Sequence, residues 1–453
     1  LFMQEIETII LAAGKGSRMK SNIPKVLHVL GDSPLMGHVL VAAKNISKKI
    51  HVVYGHGGDQ VKSFFNNEDI NWILQEQQLG TGHAVREVIP HIKDHSRVLI
   101  LYGDVPLITL RTLKLLLNES IETGFSILTC ILENPKGYGR IIRDKNGQIE
   151  SIVEEKDASE EQKKVKEINT GIMSIRSDLL KEFLPQIKSN NAQNEIYLTD
   201  IVDMVSKSGR QIKSVTTSEE YEVSGVNDKK QLSELERIHQ LNQADQFMRD
   251  GLLLRDAARF DCRGELSFGQ DCEIDINCIF SGKVTLGSNV KIGPNCIINN
   301  CSIDSNVQIL PNTMIENSNI GAGSCIGPFA RIRPETVIGE NAKIGNFVEV
   351  KKSSIGESSK VSHLSYIGDS NIGDNVNIGA GVITCKYDGT NKHPTHIGDG
   401  SFVGSNCELV APINIGKNSV IGAGSTITKD VPEGSLGLSR SKQSVIANWK
   451  KKK

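Results

Sequence analysis

"IGAGSCIGPFARIRPETVIGENAKIGNFVEV", residues 320–350, places an aliphatic side chain at every sixth position: Ile320, Ile326, Ile332, Ile338, Ile344 and Val350. An α-helix repeats every 3.6 residues and a strand every two, so neither alone buries this file. A solenoid of short strands with tight corners does. The beat returns in Ile397, Val403, Leu409, Ile415, Ile421 and Ile427, and slips by five at Ile355 and again at Ile372. Glycine often follows the aliphatic residue, and a small residue such as Ser324, Ala330, Thr336 or Ala342 precedes it by two. Cys272, Cys278, Cys296, Cys301 and Cys407 occupy that small position, which reads as packing rather than chemistry. About nine coils of roughly 18 residues fit between Phe268 and Ile427.

Toward the N-terminus the grammar changes. "TIILAAG", "IHVVYGHG", "VLILYGD", "FSILTCIL" and "TGIMSI" are β-rich runs separated by helical stretches such as Leu110–Asn118, which predicts an α/β domain with a largely parallel sheet. Between the halves, Leu232, Leu235, Ile238 and Leu241 fall at helical spacing behind a capping-box-like Asp228 and Gln231, and Gly251 ends the pattern. The expected organisation is an α/β domain over 1–227, a connecting helix over 228–250, a β-solenoid over 251–437 and a basic tail over 438–453.

The formal net charge of −1 over 453 residues argues against bulk nucleic-acid binding or attraction to an anionic membrane. No run reaches the roughly 18–20 apolar residues of a membrane span, and no leader peptide is expected. Nine cysteines without a Cys-x-x-Cys pair speak against zinc and secretion, so the expected compartment is the cytoplasm.

In the first half, "IILAAGKGSRM" runs from a strand into a loop whose Gly14 and Gly16 turn the backbone tightly, with Lys15 and Arg18 adding positive charge. Taken alone, it fits a phosphate cradle or an ordinary strand-to-helix turn. Lys25 follows in "IPKVL", where a cation could reach a phosphate. "YGDVP" sets Asp104 at the carboxyl edge of a buried strand, a place for a Mg²⁺ ligand, since Mg²⁺ needs only one or two protein oxygens beside phosphates. "QLGTGHA" offers Gly80 and Thr81 to a base. In the second half, Arg333 and Lys351 lie 18 apart and so one coil above the other, and stacked cations call for an anion between them. The alternative is a solvated basic edge.

The order LAAGKGSRM, PKVLH, QLGTGHA, YGDVPL, GYGRI, IVEEKDA, EINTGI, GVN resembles sugar-1-phosphate nucleotidyltransferases. Nearly the whole chain resembles the bacterial bifunctional N-acetylglucosamine-1-phosphate uridyltransferases/glucosamine-1-phosphate acetyltransferases. The resemblance implies a Rossmann-like nucleotidyltransferase domain followed by a left-handed parallel β-helix of hexapeptide repeats. It implies two activities: acetylation of glucosamine 1-phosphate by acetyl-CoA, then transfer of UMP from UTP with release of pyrophosphate. The product would be UDP-N-acetylglucosamine for cell-envelope polymers.

By this resemblance Leu11, Ala12, Ala13, Gly14, Gln75, Gly80 and Thr81 hold the nucleotide, and Lys25 meets its phosphates. Tyr102, Gly103, Asp104, Gly139, Glu154 and Asn169 surround the sugar phosphate, Asp104 and Asn227 hold Mg²⁺, and Arg18 with Lys15 faces the leaving pyrophosphate. In the solenoid, His363 is the general base, suited by a histidine's ordinary pKa of about 6.5. Arg333, Lys351, Tyr366 and Asn377 contact the sugar phosphate, while Ala380, Lys386, Tyr387, Ser405, Ala423 and Arg440 match coenzyme A positions. Lys386 departs from the family's usual Asn-Tyr pair. It could meet coenzyme A phosphates or a main-chain group. The family resemblance also implies a homotrimer. Two rival readings remain at this level: a one-site nucleotidyltransferase on a scaffold solenoid, and a regulatory binding subunit.

Overall fold

The computed structural model describes residues 5–450 except His56, Asn190 and Ala192; the last three lysines of the basic tail lie outside the described residues. The chain divides into two compact units, 1–239 and 240–453. No helix among the described residues is long and apolar enough to cross a membrane.

The first unit is built on a nine-stranded sheet. Its main path runs Lys213–Thr217, Phe125–Ile131, Glu167–Arg176, Arg97–Tyr102, Ile6–Leu11, Lys49–Tyr54, Asn71–Leu74. All neighbours on this path are parallel except Glu167–Arg176, which runs antiparallel to both strands beside it and carries the hairpin Gly139–Arg143/Ile149–Val153. Helices cover both faces, so the middle of the central strands is apolar on both sides, with Ile9, Ile10, Val98, Leu99 and Ile100 fully buried, while Glu7, Thr8 and Arg97 are the buried polar residues near their start. From Ile6–Leu11 the chain builds outward on one side, then returns to add Arg97–Tyr102 on the other. That reversal opens a crevice at the carboxyl ends of these two strands.

The helix Lys229–Arg249 starts at Asp228, whose carboxylate accepts from Gln231 N (2.9 Å). The Gln231 side chain returns the bond one residue earlier than a capping box would, accepting from Asn227 N (2.7 Å), and so fixes Asn227. Leu232, Leu235 and Ile238 pack in the first unit, and Ala244 and Phe247 in the second. Leu241, expected in the apolar stripe, is exposed because the buried face changes as the helix passes from one unit to the other.

The second unit is the parallel β-helix expected from the period of six. One wall is an 11-stranded parallel sheet, and a 17-stranded sheet winds through the others. The aliphatic file fills one continuous core. The slips at Ile355 and Ile372 are coils shortened to 17 residues: Ile338 pairs with Ile355 and Ile355 with Ile372, so the core column is unbroken. Corners adopt left-handed backbone, mostly at asparagine, which tolerates it. Asn277, Asn295 and Asn312 stack there and bond in a ladder (3.0 and 3.2 Å). At the small position the cysteines do what the serines do. Cys272 Sγ donates to Gly287 O, as Ser324 Oγ does to Gly339 O and Ser401 Oγ to Gly416 O.

Candidate functional site

The loop carrying Gly14 and Gly16 lies over the crevice. Ala12 N donates to Val53 O (2.8 Å) and Gly103 N to Leu11 O (2.9 Å), locking the ends of the strands together. Gly16 has φ +59°, and a Cβ there would stand 2.8 Å from Lys25 Cβ; only glycine lets Lys25 return beneath the loop. The result is a cavity of about 420 Å³ lined by Leu11, Ala12, Ala13, Gly14, Lys15, Lys25, Gln75, Gly80, Thr81, Tyr102 and Asp104. A second cavity of about 260 Å³ shares Thr81 and Tyr102 and adds Gly139, Glu154 and Asn169. Gly103 contributes backbone rather than lining.

Four charged and polar side chains converge at the mouth. Lys25 Nζ forms an ion pair with Asp104 Oδ2 and lies 3.4 Å from Asn227 Oδ1, which also accepts from Arg18 Nη2 at 2.8 Å. Two acceptor oxygens thus share one cation, an arrangement that fits Asp104 and Asn227 as the protein's part of a Mg²⁺ shell completed by water and phosphate. No cluster of three or more His, Cys, Asp or Glu suited to a metal occurs among the described residues, so such an ion would draw its other ligands from substrate.

The second cavity is acidic, lined by Glu154 and Glu195. Glu154 accepts from Thr199 Oγ1 (3.1 Å), and burial raises its carboxyl above the usual range. Asp200 is pushed up to about 6, by burial first and then by Glu154, Asp203 and Asp157. The Tyr102 phenol is raised by burial, then by Glu154 and Asp104. Gly171, at φ +83° in the irregularity between Asn169 and Met173, makes room for the Tyr102 ring; a Cβ would meet it at 2.5 Å. Three lining residues escape motif reasoning. They are Glu195, Tyr197 and Thr199, in a segment without periodicity, whereas Gln78, which donates to Ala13 O (2.6 Å), opens the motif QLGTGHA itself.

In the solenoid, Ile332 pairs with Val350 and Arg333 N donates to Val350 O (2.8 Å), so Arg333 does stand one coil from Lys351. Arg333 Nη1 is paired with Glu349 Oε1 at 2.7 Å, which raises its guanidinium pKa. Glu349 is thus a carboxylate partner of Arg333, and sequence spacing could have found it, 16 residues after Arg333 and directly opposite Arg331. Lys351 makes no ion pair among the described residues. Its ammonium is held below the ordinary range by Lys386 first, then by Lys392 and Arg333. Tyr366 lies opposite Glu349 on the next strand.

His363 pairs with Asn346 across adjacent coils, and its Nδ1 is 2.7 Å from Asn346 Oδ1. With that amide oxygen accepting, Nδ1 carries the hydrogen and Nε2 is left to accept a proton. The register pairing Lys360 with Asn377 and Val361 with Ile378 brings His363 level with Ala380; the next pairings, Val403 over Ile378 and Ile421 over Val403, bring Ser405 and Ala423 into the same file. Arg440 Nη1 donates to Ala423 O (2.9 Å) at its far end. Asn377 belongs to the same wall. Tyr387 is exposed in the loop that interrupts the repeat, its hydroxyl donating to Gly389 O (2.6 Å). Lys386 is not in this file. It pairs with Asp369. Among the described residues beyond Arg440 there is no regular structure, and Trp449 is exposed.

Comparison with known proteins agrees with both halves. Residues 8–145 match the model of a MobA-like NTP transferase domain, 262–340 the GMPPB C-terminal domain, and 394–429 the hexapeptide repeat of succinyl-transferase. Curated relatives named Bifunctional protein GlmU align along the whole length. The one from Ruthia magnifica subsp. Calyptogena magnifica is 58% identical over 449 residues, covering 99% of each chain. Those from Vesicomyosocius okutanii subsp. Calyptogena okutanii and Marinobacter nauticus are 56% and 49% identical, covering 99% and 100% of this chain and all of theirs. With full-length identity of this order, the chain belongs to the family of the bifunctional protein GlmU.

Proposed function

We propose that the chain catalyses consecutive steps at two separate sites: acetylation of glucosamine 1-phosphate in the solenoid over 251–437, and uridylyl transfer in the α/β domain over 1–227, joined by the helix 228–250. The observation that carries the two-site reading is His363, fixed by Asn346 at the foot of the Ala380–Ser405–Ala423 file and three residues from Tyr366 in the Arg333–Lys351 cluster. A scaffold would not need it.

In the first step the amine nitrogen of glucosamine 1-phosphate attacks the thioester carbonyl of acetyl-CoA. His363 Nε2 takes the amine proton as the C–N bond forms, and the C–S bond breaks to release coenzyme A. Arg333 and Lys351 hold the sugar phosphate with Tyr366 and Asn377, and the file ending at Arg440 holds coenzyme A with Tyr387. No covalent acyl-enzyme is needed.

In the second step a phosphate oxygen of N-acetylglucosamine 1-phosphate attacks the α-phosphorus of UTP, and the bond to the bridging oxygen breaks to release pyrophosphate. Such transfer depends on alignment and charge neutralisation. The loop 11–14 with Gln75, Gly80 and Thr81 holds the nucleotide; Gly139, Glu154 and Asn169 orient the sugar; Arg18, Lys15 and Lys25 take up phosphate charge. Mg²⁺ held by Asp104 and Asn227 would supply further neutralisation when bound.

We place the protein in the cytoplasm, which fits its nine free thiols and its nucleotide and acetyl-CoA substrates. We further propose a homotrimer. Where the coils below put Asn277, Asn295 and Asn312 at one corner, the next put Phe329, Phe347 and Leu364, which are 49%, 56% and 62% exposed in left-handed backbone. Bulky side chains are costly in that conformation, and an apolar ridge beside His363 suits a second copy of the chain.

The test follows coenzyme A formation by mass spectrometry from acetyl-CoA and glucosamine 1-phosphate, and pyrophosphate release from UTP, Mg²⁺ and N-acetylglucosamine 1-phosphate. His363→Ala should lose only the former. A wild-type protein that releases pyrophosphate but never coenzyme A would reduce the solenoid to a scaffold.

A further inference from the structure

Lys386 opens the loop that breaks the repeat, and the same residue closes that loop: His393 N donates to Lys386 O (2.7 Å), while Tyr387 bridges Lys392. Its Nζ turns away from the coenzyme A file and pairs with the carboxylate of Asp369, with side chains only 10% and 12% exposed, and lies 5.6 Å from the centroid of the Tyr366 ring. Asp369 is held in place from both directions. Its N donates to Lys351 O (3.0 Å), and its O accepts from Thr395 N (3.2 Å) at the far end of the loop.

The side chains around Lys351 are therefore Arg333, Lys386 and Lys392 on the positive side, and Asp369 on the negative. Glu349 already serves Arg333. Four cations, Lys351 included, against two carboxylates leave two positive charges, which match a phosphate monoester dianion. Without Lys386 the buried Asp369 carboxylate, whose N already bonds Lys351 O, is left to act on the Lys351 ammonium it faces, and the cluster falls to a single positive charge.

We propose that Lys386 is a positioning residue for the sugar phosphate: by engaging Asp369 it keeps that carboxylate off Lys351, whose ammonium stays available for the phosphate, and it takes no part in holding coenzyme A. This rests on the assignment of Arg333 and Lys351 to the sugar phosphate made above.

The test is steady-state acetyl transfer by the full chain. Lys386→Met should raise KM for glucosamine 1-phosphate about tenfold, leaving KM for acetyl-CoA within twofold of wild type. Adding Asp369→Asn to that variant should bring KM for the sugar phosphate back to within about threefold, because the competing carboxylate is gone. The double variant leaves no buried charge unpaired, so it reports even if Lys386→Met does not fold. Asp369→Asn alone should lower KM for the sugar phosphate about threefold. A rise in KM for acetyl-CoA, or a double variant as weak as Lys386→Met, overturns the proposal. So do variants that all leave both KM values unchanged. Failure of the underlying reading would look different: wild type would form no coenzyme A at all.

Discussion

Asn346 accepts a hydrogen bond from His363 without adding charge, and that choice of residue has a measurable consequence. A carboxylate at the same place would favour the imidazolium. Asn346→Asp is therefore expected to move the acid limb of the acetyl-transfer pH profile upward by about one unit, whereas Asn346→Ala should lower kcat about tenfold or more by freeing the ring. Initial rates across pH 5.5–9 separate the two. Asp200 offers a stability test in the other unit. Its folded pKa of about 6 lies above the ordinary carboxyl value of 3.8, so as pH rises the unfolded chain ionises first and stability is lost between roughly pH 4 and 6. Asp200→Asn should raise Tm by a few degrees at pH 7.5 and leave it unchanged near pH 4; a melting series on both proteins checks this. The sequence shows Asp104, Lys25 and His363 because each sits in a short motif. It hides Asn346, Glu195 and Asp200, whose roles arise from neighbours 17 residues or a whole domain segment away.

At the level of elements, the coil is held by stacking, and its tolerance is set where backbones touch. A Cβ at Gly345 would stand 1.9 Å from Ser362 O in the next coil, beside both Asn346 and His363. Gly345→Ala should therefore abolish most acetyl transfer while uridylyl transfer keeps nearly its full rate, because the damage stays within one stretch of solenoid. Both assays on one preparation decide it. Periodicity made this domain legible: six-residue spacing predicts the core column residue by residue, since a repeating coil offers each position the same surroundings. The α/β domain was less transparent. Its strands are recognisable, but the antiparallel course of Glu167–Arg176 depends on how distant segments pair. The loop after Cys385 is visible as a break in rhythm, yet only its folded form shows Lys386 turned toward Asp369.

For the whole molecule, the apolar ridge is the feature to challenge. Phe347→Asp places charge where the Phe329 and Phe347 rings stack 5.2 Å apart, and it should shift the molar mass by light scattering from trimer toward monomer, with acetyl transfer falling and uridylyl transfer persisting. An unchanged mass would mean that subunits meet elsewhere. The cysteines that stand in for serine along the prism have a practical consequence of another kind. Seven of the nine are buried, and only Cys325 and Cys385 are partly accessible. Six of the buried thiols are in the solenoid and one, Cys130, is in the α/β domain. A thiol-reactive dye should thus label at most two sites quickly and the rest only as coils open, so the chain carries a built-in clock for the unwinding of its own solenoid.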